Sequence, residues 1–223
     1  MTTRAGGMSR APWASLNLGD HVNDDPAHVA ANRALLRERL PEEPGWLRQV
    51  HSARVVEAGA DADPDADACF TRTPGRVCAV LTADCLPVLF CDRAGSVVAA
   101  AHAGWRGLAG GVLEATVAAM AAPPGEILAW MGAAIGPAAF EVGDDVRDAF
   151  MAQHPETAAA FVPQGTPEKW LADIYTLARI RLAHAGVVAV HGGGRCTFTE
   201  SDTFFSYRRD GVTGRMASLV WLE

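Results

Sequence analysis

A mixed α+β fold built around a large sheet is the architecture this sequence predicts, and three observations point to it. Short, almost wholly apolar runs such as Val77 to Thr82, Pro87 to Cys91 and Ser96 to His102 read as strands covered on both faces. Segments with apolar residues at helical spacing are interspersed among them without strict strand–helix–strand alternation. The chain has 223 residues, 49% of them hydrophobic, and can bury one sizeable core as a single domain over 1–223.

In chain order, Asp25-Pro26 predicts an N-cap followed by proline at the first helical position. Ala27 to Leu40 continues it as a helix, with Val29, Leu36 and Leu40 near one face and Pro41 behind. Trp46 to His51 and Arg54 to Glu57 read as strands. Ala58 to Ala68, an Ala/Asp mixture with Pro64, reads as a surface loop in which nothing functional is expected. After the three apolar strands, Gly107 to Ala121 predicts a helix packed by Leu108, Val112, Leu113, Val117 and Met120. Ile127 to Met131 reads as a strand and Val142 to Phe150 as a short helix. Lys169 to Ala185 reads as a longer helix carrying Leu171, Ile174, Leu177, Ile180 and Leu182. Val187 to Val190 and Arg215 to Trp221 are strands, and Asp210-Gly211 with Gly214 suggests the turn of a closing hairpin.

Charge and composition exclude several functions. Nineteen Lys and Arg against 26 Asp and Glu give a net charge of −7, with no basic stripe for nucleic acid. The longest apolar stretch, Val77 to Phe90, is interrupted by Asp84 and is too short to span a membrane. The cysteines number five, and no pair is spaced as C-x-x-C, which favours a reducing compartment over a disulfide scaffold. Met1 to Trp13 lacks the apolar centre of a secretory signal, so a cytoplasmic location is expected.

Three segments set a strong metal ligand in an unusual context: Gln49-Val50-His51-Ser52, Thr82-Ala83-Asp84-Cys85-Leu86-Pro87 and Ala101-His102-Ala103-Gly104-Trp105-Arg106-Gly107. Each residue alone reads as ordinary packing, because buried histidines and free cysteines are common in cores. Together, two imidazoles and one thiolate fill three tetrahedral positions of Zn²⁺ and leave the fourth open, the pattern of a catalytic site. Copper suits the same donors, but the chain has only 7 histidines, too few imidazoles for a four-copper oxidase. Gly104-Trp105-Arg106-Gly107 reads equally as an anion site or as a tight turn whose glycines permit close packing. Phe204 to Arg209 interleaves aromatic and basic residues, fit either to stack a base and grip phosphate or to form one edge of the core.

The segments NLGDHVNDD, QVHS, TADCLPV, AHAGWRG, IGPAAFEVG, DIYTLAR, RCTFTESDTFFSYRRDG and TGRMASLVWL, in that order, closely resemble one bacterial family. It is the laccase-domain or polyphenol oxidase-like family, better described as zinc-dependent purine nucleoside phosphorylases, with some members called peptidoglycan editing factor. The resemblance runs from about Ser15 to the C-terminus. It implies a layered α/β/β/α sandwich with mixed sheets, similar to the cysteine–histidine toxin deamidases, and a catalytic zinc on His51, Cys85 and His102. It also implies phosphorolysis of adenosine, inosine, guanosine and methylthioadenosine, and deamination of adenosine. Purine nucleosides and phosphate are then the expected partners of a monomer or small homo-oligomer. Arg106 would orient phosphate, and Tyr207, Arg208 and Asn17 would contact nucleoside or phosphate. The alternatives are a metal-free hydrolase or amidase on peptidoglycan precursors, with Cys85 as nucleophile and His102 or His51 as base, and a copper-dependent polyphenol oxidase.

Overall fold

The Asp25 carboxylate accepts the Ala27 N–H at 2.9 Å and Pro26 fills the first turn, so α1 runs over Pro26–Arg37. A computed structural model describes residues 1–59 and 64–223. After α1 come β1 (Val55–Glu57), β2 (Ala68–Thr71), β3 (Cys78–Thr82), β4 (Leu86–Asp92) and β5 (Val98–Ala103). Next are α2 (Trp105–Ala109), α3 (Val112–Met120), β6 (Ile127–Met131), β7 (Glu141–Gly143) and α4 (Asp144–Met151). The chain continues through β8 (Phe161–Pro163), β9 (Lys169–Ala172), α5 (Ile174–His184), β10 (Ala189–Gly192), α6 (Tyr207–Asp210) and β11 (Met216–Val220).

The main sheet is six-stranded and mixed, in the order β1-β2-β5-β4-β6-β10. Its outer pairs β1–β2 and β6–β10 are parallel, and its inner pairs antiparallel. A second sheet pairs β11 with β3, and a third, smaller one runs β7-β9-β8.

Side-chain alternation turns these sheets into layers. In β5, Ala99, Ala101 and Ala103 face the helical core built from α2, α3, α4 and α5, with Leu108, Leu113, Phe150 and Leu177 fully buried. Ala100 faces the other way, onto Cys78 and Val80 of β3. The opposite face of β3, carrying Ala79 and Leu81, packs with Ala217, Leu18, Trp46 and Leu36 of α1. The resulting order is helices, sheet, sheet, helix. His102 lies two residues after Ala100 and so points into the layer between the sheets, toward β3.

Several elements differ from the sequence expectation, each for a local reason. Among the described residues, Trp46 to His51 makes one isolated bridge, Arg48 to Asp65, with another just before it from Gly45 to Cys78, because its last N–H groups are taken by a carboxylate described below. Gly111, at φ 93°, divides the expected helix over Gly107 to Ala121 into α2 and α3. Glu141–Gly143 pairs with β9 before α4 begins. Lys169–Ala172 is a strand, since Asp173 caps α5 by accepting the Tyr175 and Thr176 N–H groups at 3.0 and 3.2 Å. No closing hairpin forms at Asp210-Gly211: Tyr207–Asp210 is a helical turn and β11 pairs with β3. Of the expected loop over Ala58 to Ala68, residues 60–63 lie outside the described residues, whereas Ala66, Asp67 and Ala68 are fully buried. Among the described residues, no helix is long and apolar enough to cross a membrane.

Candidate metal centre

Three short links bring the candidate ligands to one end of the sandwich. His102 sits near the end of β5, Cys85 immediately precedes β4, and His51 lies in the link before β1. One donor atom from each falls within 4.8 Å of the others. The Cys85 Sγ lies 3.9 Å from His51 Nε2, and the imidazole rings of His51 and His102 meet edge-on with centroids 4.8 Å apart. His51 is exposed, Cys85 half-buried and His102 buried.

Backbone strain accompanies this convergence. His51 and Asp84 hold φ of 61° and 92°, a region that side-chain-bearing residues rarely occupy. Asp67 holds His51 there. Its Oδ1 accepts the His51 N–H at 2.9 Å, and its Oδ2 accepts the N–H groups of Val50 at 3.2 Å and Ser52 at 2.6 Å and the Ser52 hydroxyl at 2.8 Å. The same Oδ1 lies 2.8 Å from His102 Nδ1, which leaves Nε2 of that ring directed at the donor cluster. Asp84 fixes the other strained link: its carboxylate accepts the Thr197 hydroxyl and the Arg208 N–H, each at 2.6 Å.

The glycines of Gly104-Trp105-Arg106-Gly107 give this arrangement room. A Cβ on Gly104 would lie 2.8 Å from His51 Cδ2 and 3.0 Å from Cys85 Sγ, and one on Gly107 would lie 2.9 Å from the Ser52 carbonyl oxygen. Close packing is therefore what the glycines provide. The five-residue α2 leaves Arg106 exposed over the Trp105 ring, 4.3 Å from its centroid.

The protonation balance follows from these contacts. Burial raises the Asp67 carboxyl, but its hydrogen bonds to His102 and Ser52 outweigh this and bring it down to about 2. Burial lowers the His102 imidazole, yet the Cys85 thiolate and the Asp67 carboxylate lift it to about 9. Burial likewise raises the Cys85 thiol, and the two imidazoles beside it bring it down to about 6. In metal-free protein the thiolate thus forms above pH about 6 instead of about 9. Alkylation of Cys85 by iodoacetamide, followed by peptide mass spectrometry, is expected to rise through that lower pH and to be suppressed by added zinc. A rise only near the pH of an ordinary thiol would contradict the geometry.

Two cavities meet at Cys85. The larger, about 370 Å³, is lined by His21, Gln49, His51, Thr82, His102 and Arg215, among others. The smaller, about 250 Å³, carries Trp105, Arg106, Ile135, Phe140, Ile174 and Arg208. Tyr207, Ala83 and Cys85 belong to both walls. Arg208 donates from Nη1 to the Glu141 carbonyl at 2.9 Å.

Of the residues singled out in the sequence, His51, Cys85, His102, Arg106, Tyr207 and Arg208 converge here. Asn17 does not: it is fully buried, and its amide binds the Gly19 backbone, the Asp24 carboxylate and the Arg215 N–H. It holds Arg215 in the wall without facing either cavity. Phe204 and Phe205 belong to the core, and Arg209 is committed to the carbonyls of Thr197, Phe198 and Phe204. Sequence reasoning missed Asp67, Gln49 and Arg215. Gln49 stands two residues before a candidate ligand, a position that could have drawn notice; its amide pairs with both backbone groups of Leu81.

Fold and site together define a single-domain α+β protein with a His–Cys–His donor cluster set between two cavities. Comparison with known proteins is consistent with that definition. The family model described as multi-copper polyphenol oxidoreductase laccase matches residues 1–223, and the chain belongs to that family. It is 60% identical over 223 residues to a purine nucleoside phosphorylase of Pseudomonas aeruginosa, covering 100% of this chain and 92% of the relative. It is 59% identical over 225 residues to the purine nucleoside phosphorylase YfiH of Escherichia coli, covering 99% and 92%. A Neisseria meningitidis crystal structure superposes with a TM-score of 0.97 at 57% identity, covering 100% of this chain and 93% of that one. YlmD from Geobacillus stearothermophilus gives 0.92 at 35% identity, covering 100% and 90%.

Proposed function

We propose that this chain is a zinc-dependent purine nucleoside phosphorylase, converting adenosine, inosine, guanosine or methylthioadenosine and phosphate into free base and ribose 1-phosphate (or its methylthio derivative). The observation that carries it is the convergence of His51, Cys85 and His102 at the junction of two cavities, one lined by Arg106 and Arg208. The names of the relatives reported above support the same reading.

The residues fit a zinc ion. Two imidazoles and a thiolate are its preferred donors, Asp67 orients one imidazole as metal-bound histidines require, and Gly104 keeps the space beside the donors clear. His51, Cys85 and His102 would hold the ion, which supplies Lewis-acid charge at the open position. A single donor set with a thiolate suits this better than the several imidazole-rich centres that multicopper oxidation requires.

The remaining steps belong to the protein's own groups. Arg106 and Arg208 hold phosphate in the smaller cavity, where a charge-assisted fork fixes the attacking oxygen. The nucleoside lies in the larger cavity, with Tyr207 between its ribose and the phosphate. Attack at C1′ forms the new C–O bond as the C1′–N9 bond breaks and its electron pair leaves with the base. Adenosine deamination is the companion activity proposed at the same centre: water adds at C6 of adenine, the C6–N6 bond breaks, and the amine leaves as ammonia to give inosine.

One experiment tests both. Metal analysis of the purified chain is coupled to chromatography of adenosine incubated with and without phosphate. About one zinc per chain, adenine released only with phosphate, inosine formed without it, and both lost on chelation are the expected results. Arg106→Ala is expected to raise the KM for phosphate ~10–100-fold, as loss of a charge-assisted hydrogen bond predicts, and to leave deamination unchanged.

A second reading rests on a specific observation: Cys85, His102 and Asp67 also form a nucleophile–base–orienting-acid series, with His102 bonded to Asp67 at 2.8 Å. A cysteine hydrolase or amidase acting on peptidoglycan precursors would use it without metal. Absence of metal, together with turnover of amide substrates that chelators leave untouched, would favour that reading.

A further inference from the structure

Away from both cavities, a second group of metal-ligating side chains lies where the 3-10 turn Pro155–Ala160 meets the end of α5. His154 precedes that turn, Glu156 lies within it, and His184 is the last residue of α5. One donor atom from each falls within 4.8 Å of the others. Glu156 Oε1 is in hydrogen-bond contact with His184 Nε2 and 4.0 Å from His154 Nδ1. The two imidazole rings stack with centroids 4.0 Å apart and 27° between their planes.

We propose that His154, Glu156 and His184 form a second, peripheral binding site for a divalent transition metal ion, which ties the Pro155–Ala160 turn to helix α5. Two imidazoles and one carboxylate select zinc, cobalt, nickel or copper over magnesium and calcium, which prefer all-oxygen surroundings. Metal–ligand bonds of about 2.0–2.2 Å place donors roughly 3.3–3.6 Å apart around one tetrahedral ion. To match, Glu156 and His184 must move apart, Glu156 and His154 must close from 4.0 Å, and the stacked imidazoles must turn toward a common point. The side chains can make these movements, since all three are partly solvent-exposed, at 22% for His154, 50% for Glu156 and 46% for His184.

The electrostatic setting favours a cation. The carbonyls of Arg181, Leu182 and Ala183 at the end of α5 already accept the N–H groups of Ala185, Val187 and Gly186, so the Glu156 carboxylate carries the negative charge of the site. The nearest cation in sequence, Arg181, is already committed, donating to Gln153 Oε1 at 2.7 Å and pairing with Glu114. Water completes the coordination, so the site is open, and without a thiolate it is weaker than the His51–Cys85–His102 centre.

Cobalt(II) titration of the metal-stripped full-length chain distinguishes the two sites. The first equivalent is expected to bring the intense absorption of thiolate-to-cobalt charge transfer, which reports on the Cys85 centre and rests on the reading above. A second, weaker equivalent is expected to bring only ligand-field bands, with no further thiolate absorption. In the His154→Ala/His184→Ala variant, stoichiometry is expected to fall from two to one while the thiolate band persists. In Glu156→Gln the second equivalent is expected to bind more weakly. Uptake by the wild-type chain of the thiolate-band equivalent alone, or a ligand-field equivalent that survives in the double variant, would overturn the proposal. A missing thiolate band would instead count against the principal centre alone.

Discussion

Asp67→Ala is expected to cost about 3–5 kcal/mol of stability and to weaken zinc binding by a further 10–100-fold. The carboxylate receives five contacts, from the N–H groups of Val50, His51 and Ser52, the Ser52 hydroxyl and His102 Nδ1. Losing one buried acceptor leaves each donor to find water or remain unpaired, at about 1–3 kcal/mol apiece when buried. Val50 and His51 are exposed and recover much of that from solvent; Ser52 and His102 do not. For a chain of this size the loss corresponds to a fall in Tm of roughly 10 °C. The pH dependence has a definite sign. Because folding depresses the Asp67 carboxyl to about 2 from 3.8, its contribution is fully present above the unfolded value and is lost as pH falls through the folded one. Thermal melting and zinc titration of the variant check the prediction. A melt within a degree or two of wild type, at unchanged zinc affinity, would show that this carboxylate does not organise the site.

Gly104→Ala is expected to reduce zinc affinity more than 100-fold while leaving most of the fold intact. The residue sits at φ −63° and ψ 157°, a conformation alanine adopts freely, so backbone strain is not at issue. Space is: the added methyl would meet His51 and Cys85, and His51 is held on a left-handed backbone by Asp67 and has little freedom to retreat. Overpacking of this kind costs about 1–3 kcal/mol globally, whereas the ligand geometry absorbs the displacement directly. Gly125→Ala is the control, since nothing lies within 4 Å of its added methyl. Equal zinc affinity in both variants would rule out the steric role assigned to Gly104.

The donor cluster was legible because a polar residue in or beside an apolar run stands out. His102 closes such a run, Cys85 stands just before another and His51 ends a third; this donor set suggested zinc, and the family resemblance alone supplied the purine chemistry. Asp67 was not legible. It lies at the end of an Ala/Asp stretch with other aspartates at positions 61, 63 and 65, where composition hides the one carboxylate whose surroundings are buried. Arg215 was hidden by distance, since the Asn17 amide that holds it lies 198 residues away in sequence. In the fold, β3, β4 and β5 were plain as apolar runs. Lys169–Ala172 was not, because the spacing of Leu171, Ile174 and Leu177 fits a helix and the strand is only 4 residues long. Asp173, whose side chain caps α5 at Tyr175 and Thr176, is the cue in the sequence that marks the true boundary.

The carboxylate of Asp84 ties its link to Thr197 and Arg208, 113 and 124 residues further along the chain. All three donors of the principal centre, by contrast, lie between residues 51 and 102. During synthesis the half that carries these donors therefore leaves the ribosome long before the segment that supplies Tyr207, Arg208 and Arg215 to the cavity walls. Closing loops of that length is slow compared with forming local structure. A chain extended only to His102 has Asp67 to hold His51 and His102, whereas the link before Cys85 stays unanchored until Thr197 and Arg208 follow. The order in which one polypeptide is made thus sets which part of the cluster can be fixed first.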